Sequence, residues 1–263
     1  MLVKKSLRER RLFRDSGRSL VVAMDHARVF DSITGLKDAN AVIREVIHAG
    51  ADAVLAPYGT AAASSASLGN GGLWLSVDTT RDTVTSVVEM ALRLGADGIK
   101  VEAFPWCTPE DDFFGRYSGA ETILNAVCLA AECQKWGLPL MVEAIPFGWP
   151  SAHKKTPEKI AAACRIASEA GADYVKSFYS GDKASFKAVI ENCSVPVLIL
   201  GGEKISSDRE ILTMVRDAMD VGAVGITMGR NIWGHKNIGG MTAALEAIIH
   251  NDSSVETAYK LLD

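Results

Sequence analysis

The chain has no apolar run near the roughly 20 residues that a membrane helix needs, and no apolar core at its N-terminus of the kind a signal peptide carries. It has no CxxC pair and no HExxH, and its five histidines are scattered, so no metal-ligand spacing stands out. The five cysteines (Cys107, Cys128, Cys133, Cys164, Cys193) are odd in number and follow no leader, which points to reduced thiols in a cytoplasmic protein. An excess of positive charge is also missing. With 28 Lys and Arg against 32 Asp and Glu, the net charge of −4 argues against a nucleic-acid partner. One local exception, "KKSLRERRLFR" from Lys4 to Arg14, reads as a solvated arm or an oligomer contact. No Ser/Pro/Gly-rich linker divides the 263 residues, so one domain spanning 1–263 with a short basic arm is expected. A single α/β barrel fills about that length.

What is there is alternation. Short apolar runs at Leu20–Met24, Ala53–Ala56, Leu73–Val77, Gly98–Ala103, Pro139–Ala144, Asp173–Ser177, Val195–Leu200 and Val224–Met228 predict eight strands. Amphipathic stretches between them, such as Ala39–His48, Arg81–Leu94, Ala120–Trp136, Pro157–Ala170 and Asp208–Val221, predict helices. A repeat sharpens the pattern: "AGADAV", "LGADGI", "AGADYV" and "VGAVGI" precede strands two, four, six and eight. In each, a helix ends, glycine supplies the left-handed cap and a strand begins. Strands five and seven open instead with a proline, where a missing N–H matters least. Even and odd strands that alternate in this way suit a closed (β/α)8 barrel, whose interior layers are filled from alternate strands. A doubly wound open sheet would want a glycine-rich turn after the first strand, and the chain there reads "MDHARVF".

In such a barrel the chemistry sits at the C-terminal strand ends. Strand one ends in Asp25 and His26. In strand four, "GIKVEAFPW", the two-residue period sets Ile99, Val101 and Ala103 against Lys100, Glu102 and Phe104. The outer face packs under helices and is apolar, so Lys100 and Glu102 point inward. The same rule turns Met141, Glu143 and Ile145 inward in strand five, and Tyr174 and Lys176 in strand six. One explanation for so many inward charges is a buried ion-pair network, Lys100–Glu102 and Lys176–Glu143, that holds the barrel together. The other is a lysine made nucleophilic. A desolvated lysine beside a second cation can form a Schiff base with a carbonyl, with Lys100 supplying that cation and Asp25 or Glu143 moving protons. Strands seven and eight end in "LILGGEK" and "ITMGRNIW". Gly201, Gly202 and Gly229 let backbone amides approach an anion, and Arg230 and Lys204 add charge, which is a phosphate rim. His26 could assist the chemistry or orient Asp25. His48 and His250 fall in helical patterns and read as surface residues. Trp106, Trp136, Trp149 and Trp233 read as packing. Pro105–Arg116 reads as an irregular loop that could be a lid, and Thr156 as the N-cap of a helix opening at Pro157.

"AMDHA", "GADYVKSFYSGD", "VPVLILGGEK" and "GAVGITMGRNIW" together resemble the class I aldolases of the archaeal-type fructose-bisphosphate aldolase group, relatives of deoxyribose-phosphate and tagatose-bisphosphate aldolases. The resemblance runs from about Leu20 to the C-terminus. It implies a metal-independent, cofactor-free (β/α)8 barrel, usually a homo-oligomer, acting on a phosphorylated sugar or ketone. The Schiff-base lysine matches Lys176, the strand-one aspartate Asp25, and the phosphate-binding positions Gly201, Gly202, Gly229 and Arg230. The chain departs from the family's E-x-Y-P-R-G motif, with Ile145 in place of the acid/base tyrosine and Phe147 in place of the arginine. Two branches are similar there. Tagatose-bisphosphate and sulfo-sugar phosphate aldolases carry an "IKV" strand and a strand-five glutamate, which match Lys100 and Glu143. Autoinducer-2 phosphate thiolases lack the tyrosine, transfer an acetyl group to coenzyme A, and end in a segment similar to "ALEAIIHNDSSVETAYKLLD". The expectation is a class I aldolase on a phosphorylated ketose, with His26, Glu102 and Lys204 in substrate binding. A Schiff-base acyl transferase, a transaldolase-like ulosonate synthase and a non-catalytic sugar-phosphate binder are the alternatives.

Overall fold

The computed structural model describes residues 7–26, 34–111 and 118–262. Eight parallel strands close into one barrel in chain order: β1 (Ser19–Ala23), β2 (Ala53–Pro57), β3 (Gly72–Val77), β4 (Gly98–Ala103), β5 (Leu140–Ala144), β6 (Tyr174–Phe178), β7 (Val197–Leu200) and β8 (Gly225–Met228). β8 pairs back with β1, with Leu20 opposite Ile226, so the sheet has no edge. The helices begin with α1 (Glu9–Leu12), α2 (Ala39–His48), α3 (Tyr58–Ser64) and α4 (Val84–Leu94). α5 (Gly119–Trp136), α6 (Pro157–Glu169) and α7 (Lys183–Asn192) follow. The last are α8 (Asp208–Asp220), α9 (Arg230–Trp233), α10 (Ile238–Asn251) and α11 (Val255–Tyr259). Thr156 caps α6 and Pro157 opens it, as expected. No described helix is long and apolar enough to cross a membrane.

The repeat explains the closure. Gly50, Gly95, Gly171 and Gly222 all take positive φ, between 80° and 111°, which residues with a Cβ rarely adopt. Two residues after each glycine, the backbone N–H of Asp52, Asp97, Asp173 or Val224 donates to the preceding odd strand, at Leu20, Leu73, Leu140 or Val197, each at 2.9 Å. In the first three units the aspartate side chain returns the bond. It accepts the N–H of Leu20, Leu73 or Leu140 at 2.7, 3.1 and 2.8 Å. The aspartates thus clasp consecutive strands in pairs.

The period-two pattern places Leu20, Val22, Val54, Ile99, Val142 and Val175 in the apolar layer under the helices, and Val21, Leu55, Met141 and Leu198 inside the barrel. Two expected inward residues differ. Phe104 and Ile145 lie one residue past the ends of β4 and β5, where the chain has turned, and both join the outer layer.

The basic N-terminal segment also differs from the expected arm. Leu12 and Phe13, 0% and 2% exposed, plug the bottom of the barrel. Phe13 stacks on Tyr174 with centroids 4.4 Å apart and meets Trp74 edge-on at 6.5 Å. The arginines turn back onto the barrel floor: Arg11 pairs with Asp97 at 3.1 Å, and Arg14 with Asp52 and Glu246 at 2.6 Å each. His250, expected at the surface, is instead buried against Asp52 at 2.8 Å. Residues 4–6 of the same segment, and residues 112–116 of the expected lid, lie outside the described residues.

Candidate active site

The C-terminal mouth of the barrel collects the ionisable residues that the strand period turned inward. Lys100 is fully buried on β4, and Lys176 on β6 is 5% exposed. Glu143 on β5 stands between them, because β5 lies between β4 and β6 and Glu143 is in register with both Glu102 and Lys176. One of its oxygens meets the Lys176 ammonium at 2.7 Å, and the other meets Lys100. Lys100 further contacts Asp25 at 3.0 Å and Glu102 at 3.2 Å. The pairs Lys100–Glu102 and Lys176–Glu143 therefore form as the alternation implied, and Lys100 joins them into one network. Two ammonium groups and three carboxylates share a buried site, an arrangement that costs several kcal/mol per charge unless every partner is in place.

Asp25 shows the electrostatics most clearly. Burial pushes its carboxyl up, but the charges of Lys100 and Lys176, with a hydrogen bond from Ser76 at 2.7 Å, outweigh that and hold it well below the usual carboxylate range. Ser76 and Lys100 both occupy Oδ2; Oδ1 faces His26, whose Nδ1 is 4.0 Å away. His26 goes the other way. Burial, with the positive charges of Lys176 and Arg230, overcomes the pull of Asp25 and lowers it to about 4, so the ring is neutral.

The far wall of the pocket is the glycine rim. α9 starts at Arg230 with Gly229 as N-cap and no side-chain cap, so no N-cap side chain covers its first amides. Gly229 is fixed by crowding. A Cβ there would stand 2.9 Å from Trp233 Nε1 and closer still to the His26 ring and the Ala23 carbonyl oxygen. Gly202 is left-handed, with φ 61° and open space around it. The Arg230 guanidinium donates to the Gly202 carbonyl at 2.6 Å, and Asn231 Nδ2 donates to that of Gly201 at 2.9 Å, so the two loops are tied together. Burial lowers the pKa of Arg230 from its ordinary value.

Asp25, His26, Glu102, Glu143, Lys176, Gly201, Gly202, Gly229 and Arg230 line one pocket. Lys100 lies beneath it, reaching the pocket only through the carboxylates. Lys204 is not part of it. Its ammonium donates to the Gly234 carbonyl at 2.7 Å and borders a neighbouring groove. Two residues were missed from sequence. Trp149, expected to be packing, lines the pocket and donates its indole N–H to Glu102 at 3.1 Å. Ser76, which holds Asp25, carries a signal in hindsight: it is a polar residue on the inward face of β3, in register with Lys100. Among the described residues no group of three His, Cys, Asp or Glu is placed to hold a metal ion.

The family model of the DeoC/LacD family aldolases matches residues 19–235. A 2-amino-3,7-dideoxy-D-threo-hept-6-ulosonate synthase of Halobacterium salinarum is 36% identical over 262 residues, covering 97% of this chain and 94% of its own. A 2-amino-4,5-dihydroxy-6-oxo-7-(phosphonooxy)heptanoate synthase of Streptomyces griseus is 32% identical over 171 residues, 65% of this chain and 59% of its own. Among solved structures, a Schiff-base-forming fructose-1,6-bisphosphate aldolase superposes with a TM-score of 0.77 at 27% identity, covering 93% of this chain and all of its own.

Proposed function

The chain belongs to the DeoC/LacD family of aldolases, and from that premise we propose that Lys176 forms a Schiff base with a phosphorylated ketone and so makes or breaks a C–C bond. One observation carries this: Lys176 is the ammonium that lines the pocket, held on Glu143 and faced by the Gly201, Gly202, Gly229 and Arg230 rim. The rim holds the phosphate through backbone amides and the Arg230 charge. That sets the ketone carbon against Lys176 Nζ.

Glu143 touches Lys176 directly and is placed to take its proton before attack on the carbonyl. The carbinolamine then loses water and leaves a protonated imine. In the cleavage direction the bonding electrons flow into the imine and give an enamine. Asp25 takes the proton of the hydroxyl on the departing carbon, and an aldehyde leaves. The electrostatics favour that timing. The charge of Lys176 helps to hold the Asp25 carboxyl low, and the enamine is neutral. As the enamine forms, the field on Asp25 weakens and its proton affinity rises. Protonation of the enamine and hydrolysis free the ketone and Lys176.

Capture of the enamine by an aldehyde acceptor, as in a transaldolase, is the second possibility. It is favoured by Ile145, which offers no proton at the family's tyrosine position, and by the similarity to the Halobacterium synthase. Transfer to coenzyme A would show as a dependence of turnover on that thiol. We also place the enzyme in the cytoplasm as a homo-oligomer. Its five free thiols support the first, and exposed Leu124 and Val127 one turn apart on α5 support the second. Light scattering on the purified chain checks the oligomer.

The deciding experiment is borohydride reduction in the presence of dihydroxyacetone phosphate and a panel of ketose phosphates, followed by peptide mass analysis. The expected result is an adduct on Lys176 that is absent in Lys176→Met. A ligand that binds without any adduct would sink the proposal and favour a sugar-phosphate binding protein.

A further inference from the structure

The charges at the mouth of the barrel do not balance. Among the described residues the network holds two ammonium groups, Lys100 and Lys176, against three carboxylates, Asp25, Glu102 and Glu143. An unbalanced charge in a buried site is costly, and a carboxyl group relieves it by taking a proton. Asp78 borders a small pocket together with Glu102 and adds to the negative side. Arg230 also lines the lysine pocket, but on the phosphate rim, and His26 is neutral. The contacts select the carboxyl that takes the proton. Glu143 is the partner of Lys176, and Asp25 is bound by both Lys100 and Ser76. A proton on Glu102 leaves Lys176 on Glu143, and Lys100 on Asp25 and Glu143, so each ammonium group keeps a carboxylate.

The same carboxyl is held from a second element. Lys100 at 3.2 Å and the Trp149 indole N–H at 3.1 Å both donate to Glu102 Oε1. Trp149 comes from the β5–α6 connection, straight after two left-handed residues. Phe147 and Gly148 take φ of 67° and 76°. That conformation is ordinary for glycine and strained for phenylalanine, and such strain gathers at functional sites. The Trp149 ring packs edge-on to Phe178 at 6.1 Å, two residues beyond Lys176 on β6. Glu102 lines the pocket with Lys176, whereas Ile145 is buried in the outer layer and has no proton to give.

We propose that Glu102 is the acid that protonates the enamine, with Trp149 as the positioning residue that holds it. The inference rests on the imine role of Lys176 and names the donor for the last protonation. Once the aldehyde has left, the enamine carbon takes the proton of the Glu102 carboxyl. The electron pair of the C=C bond becomes the new C–H bond, the nitrogen lone pair restores C=N, and Glu102 is left as a carboxylate. Water then hydrolyses the imine. Asp25 gives up to water the proton it took from the hydroxyl, and Glu102 takes one from water, which returns the site to its starting charge. In reverse, the Glu102 carboxylate removes a proton from the carbon next to the imine.

The test follows, by NMR in deuterated water, exchange of the protons on the hydroxymethyl carbon of dihydroxyacetone phosphate, beside the borohydride adduct. The wild type should take up deuterium at that carbon and give the adduct on Lys176. Glu102→Gln should keep the adduct and slow the exchange about a hundredfold or more, the usual effect of losing a positioned acid or base. Glu102→Asp should retain part of the exchange. Trp149→Phe keeps a ring against Phe178 and removes the N–H; it should slow exchange several-fold and leave the dissociation constant of dihydroxyacetone phosphate unchanged. Exchange at the wild-type rate in Glu102→Gln, or no exchange in a wild type that forms the adduct, overturns the acid role alone. Loss of the adduct in Glu102→Gln also overturns it, and assigns Glu102 to building the site. Unchanged exchange in Trp149→Phe overturns the positioning role of Trp149. Absence of the adduct in the wild type overturns the imine reading and the acid role with it.

Discussion

Lys100 is the residue on which the mouth of the barrel depends. It is fully buried and contacts Asp25, Glu102 and Glu143. Lys100→Met would leave three carboxylates clustered around a methyl group. Removing one partner of a buried charge network costs about 3–5 kcal/mol, and we expect a urea midpoint lowered accordingly. His26 gives a pH signature. Its ring is held neutral down to about 4 in the fold, whereas an unfolded histidine protonates near 6.5. Between those values the unfolded chain binds more protons, so stability falls as the pH drops through that window, by about 3 kcal/mol at most. Urea unfolding at pH 7 and pH 4.5 should show this loss, and His26→Asn should largely remove it. Strand parity made these inward charges legible from sequence. Ser76 and Trp149 escaped because their partners, Asp25 and Glu102, lie on other elements. Nothing local marks a serine or a tryptophan as a hydrogen-bond partner rather than packing.

At the scale of elements, the turn from β8 into α9 makes the sharpest claim. Gly229→Ala would press a methyl group into His26 and the Ala23 carbonyl, and the turn must shift to relieve it. The first amides of α9 move with it. We expect the dissociation constant of dihydroxyacetone phosphate, measured by calorimetry, to rise about tenfold or more, a change worth roughly 1.4 kcal/mol. All eight strands were visible in the sequence because their apolar runs are separated by helix periods and by the glycine caps of the repeat. α1 was not. Arg10 and Arg11 make up half of it, with Arg8 just before, and a basic run ordinarily stays in water. Only the closed barrel supplies a floor on which Leu12 and Phe13 can be buried while the arginines reach acids at its rim.

The whole molecule divides its work between two ends. The floor holds the aromatic plug and the arginine pairs; the mouth holds the two lysines and the anion rim. Barrels of this kind separate stability from chemistry in the same way. Phe13→Ala should therefore cost about 3–5 kcal/mol as a truncated core aromatic, with the borohydride adduct still forming on Lys176. Lys176→Met should lose the adduct, and the double variant should be destabilised by the sum of the two single effects to within about 0.5 kcal/mol. Chemical denaturation of the three variants checks this. A larger coupling would mean that the plug and the reactive lysine sense each other through Tyr174, which the plug stacks on and which shares β6 with Lys176.

The aspartate clasps have a consequence for the symmetry of the barrel. The barrel has eight strands, yet a turn by one strand does not map the structure onto itself, because each clasp joins an odd strand to the even strand after it. A turn by two strands carries each backbone clasp onto the next, so the symmetry of the clasps is fourfold. Asp52, Asp97 and Asp173 mark three of the quarters, and the fourth has Val224, which keeps the backbone bond and lacks the side-chain return. The symmetry is broken in the quarter formed by β7 and β8. It is the same quarter whose other end carries the glycines and Arg230.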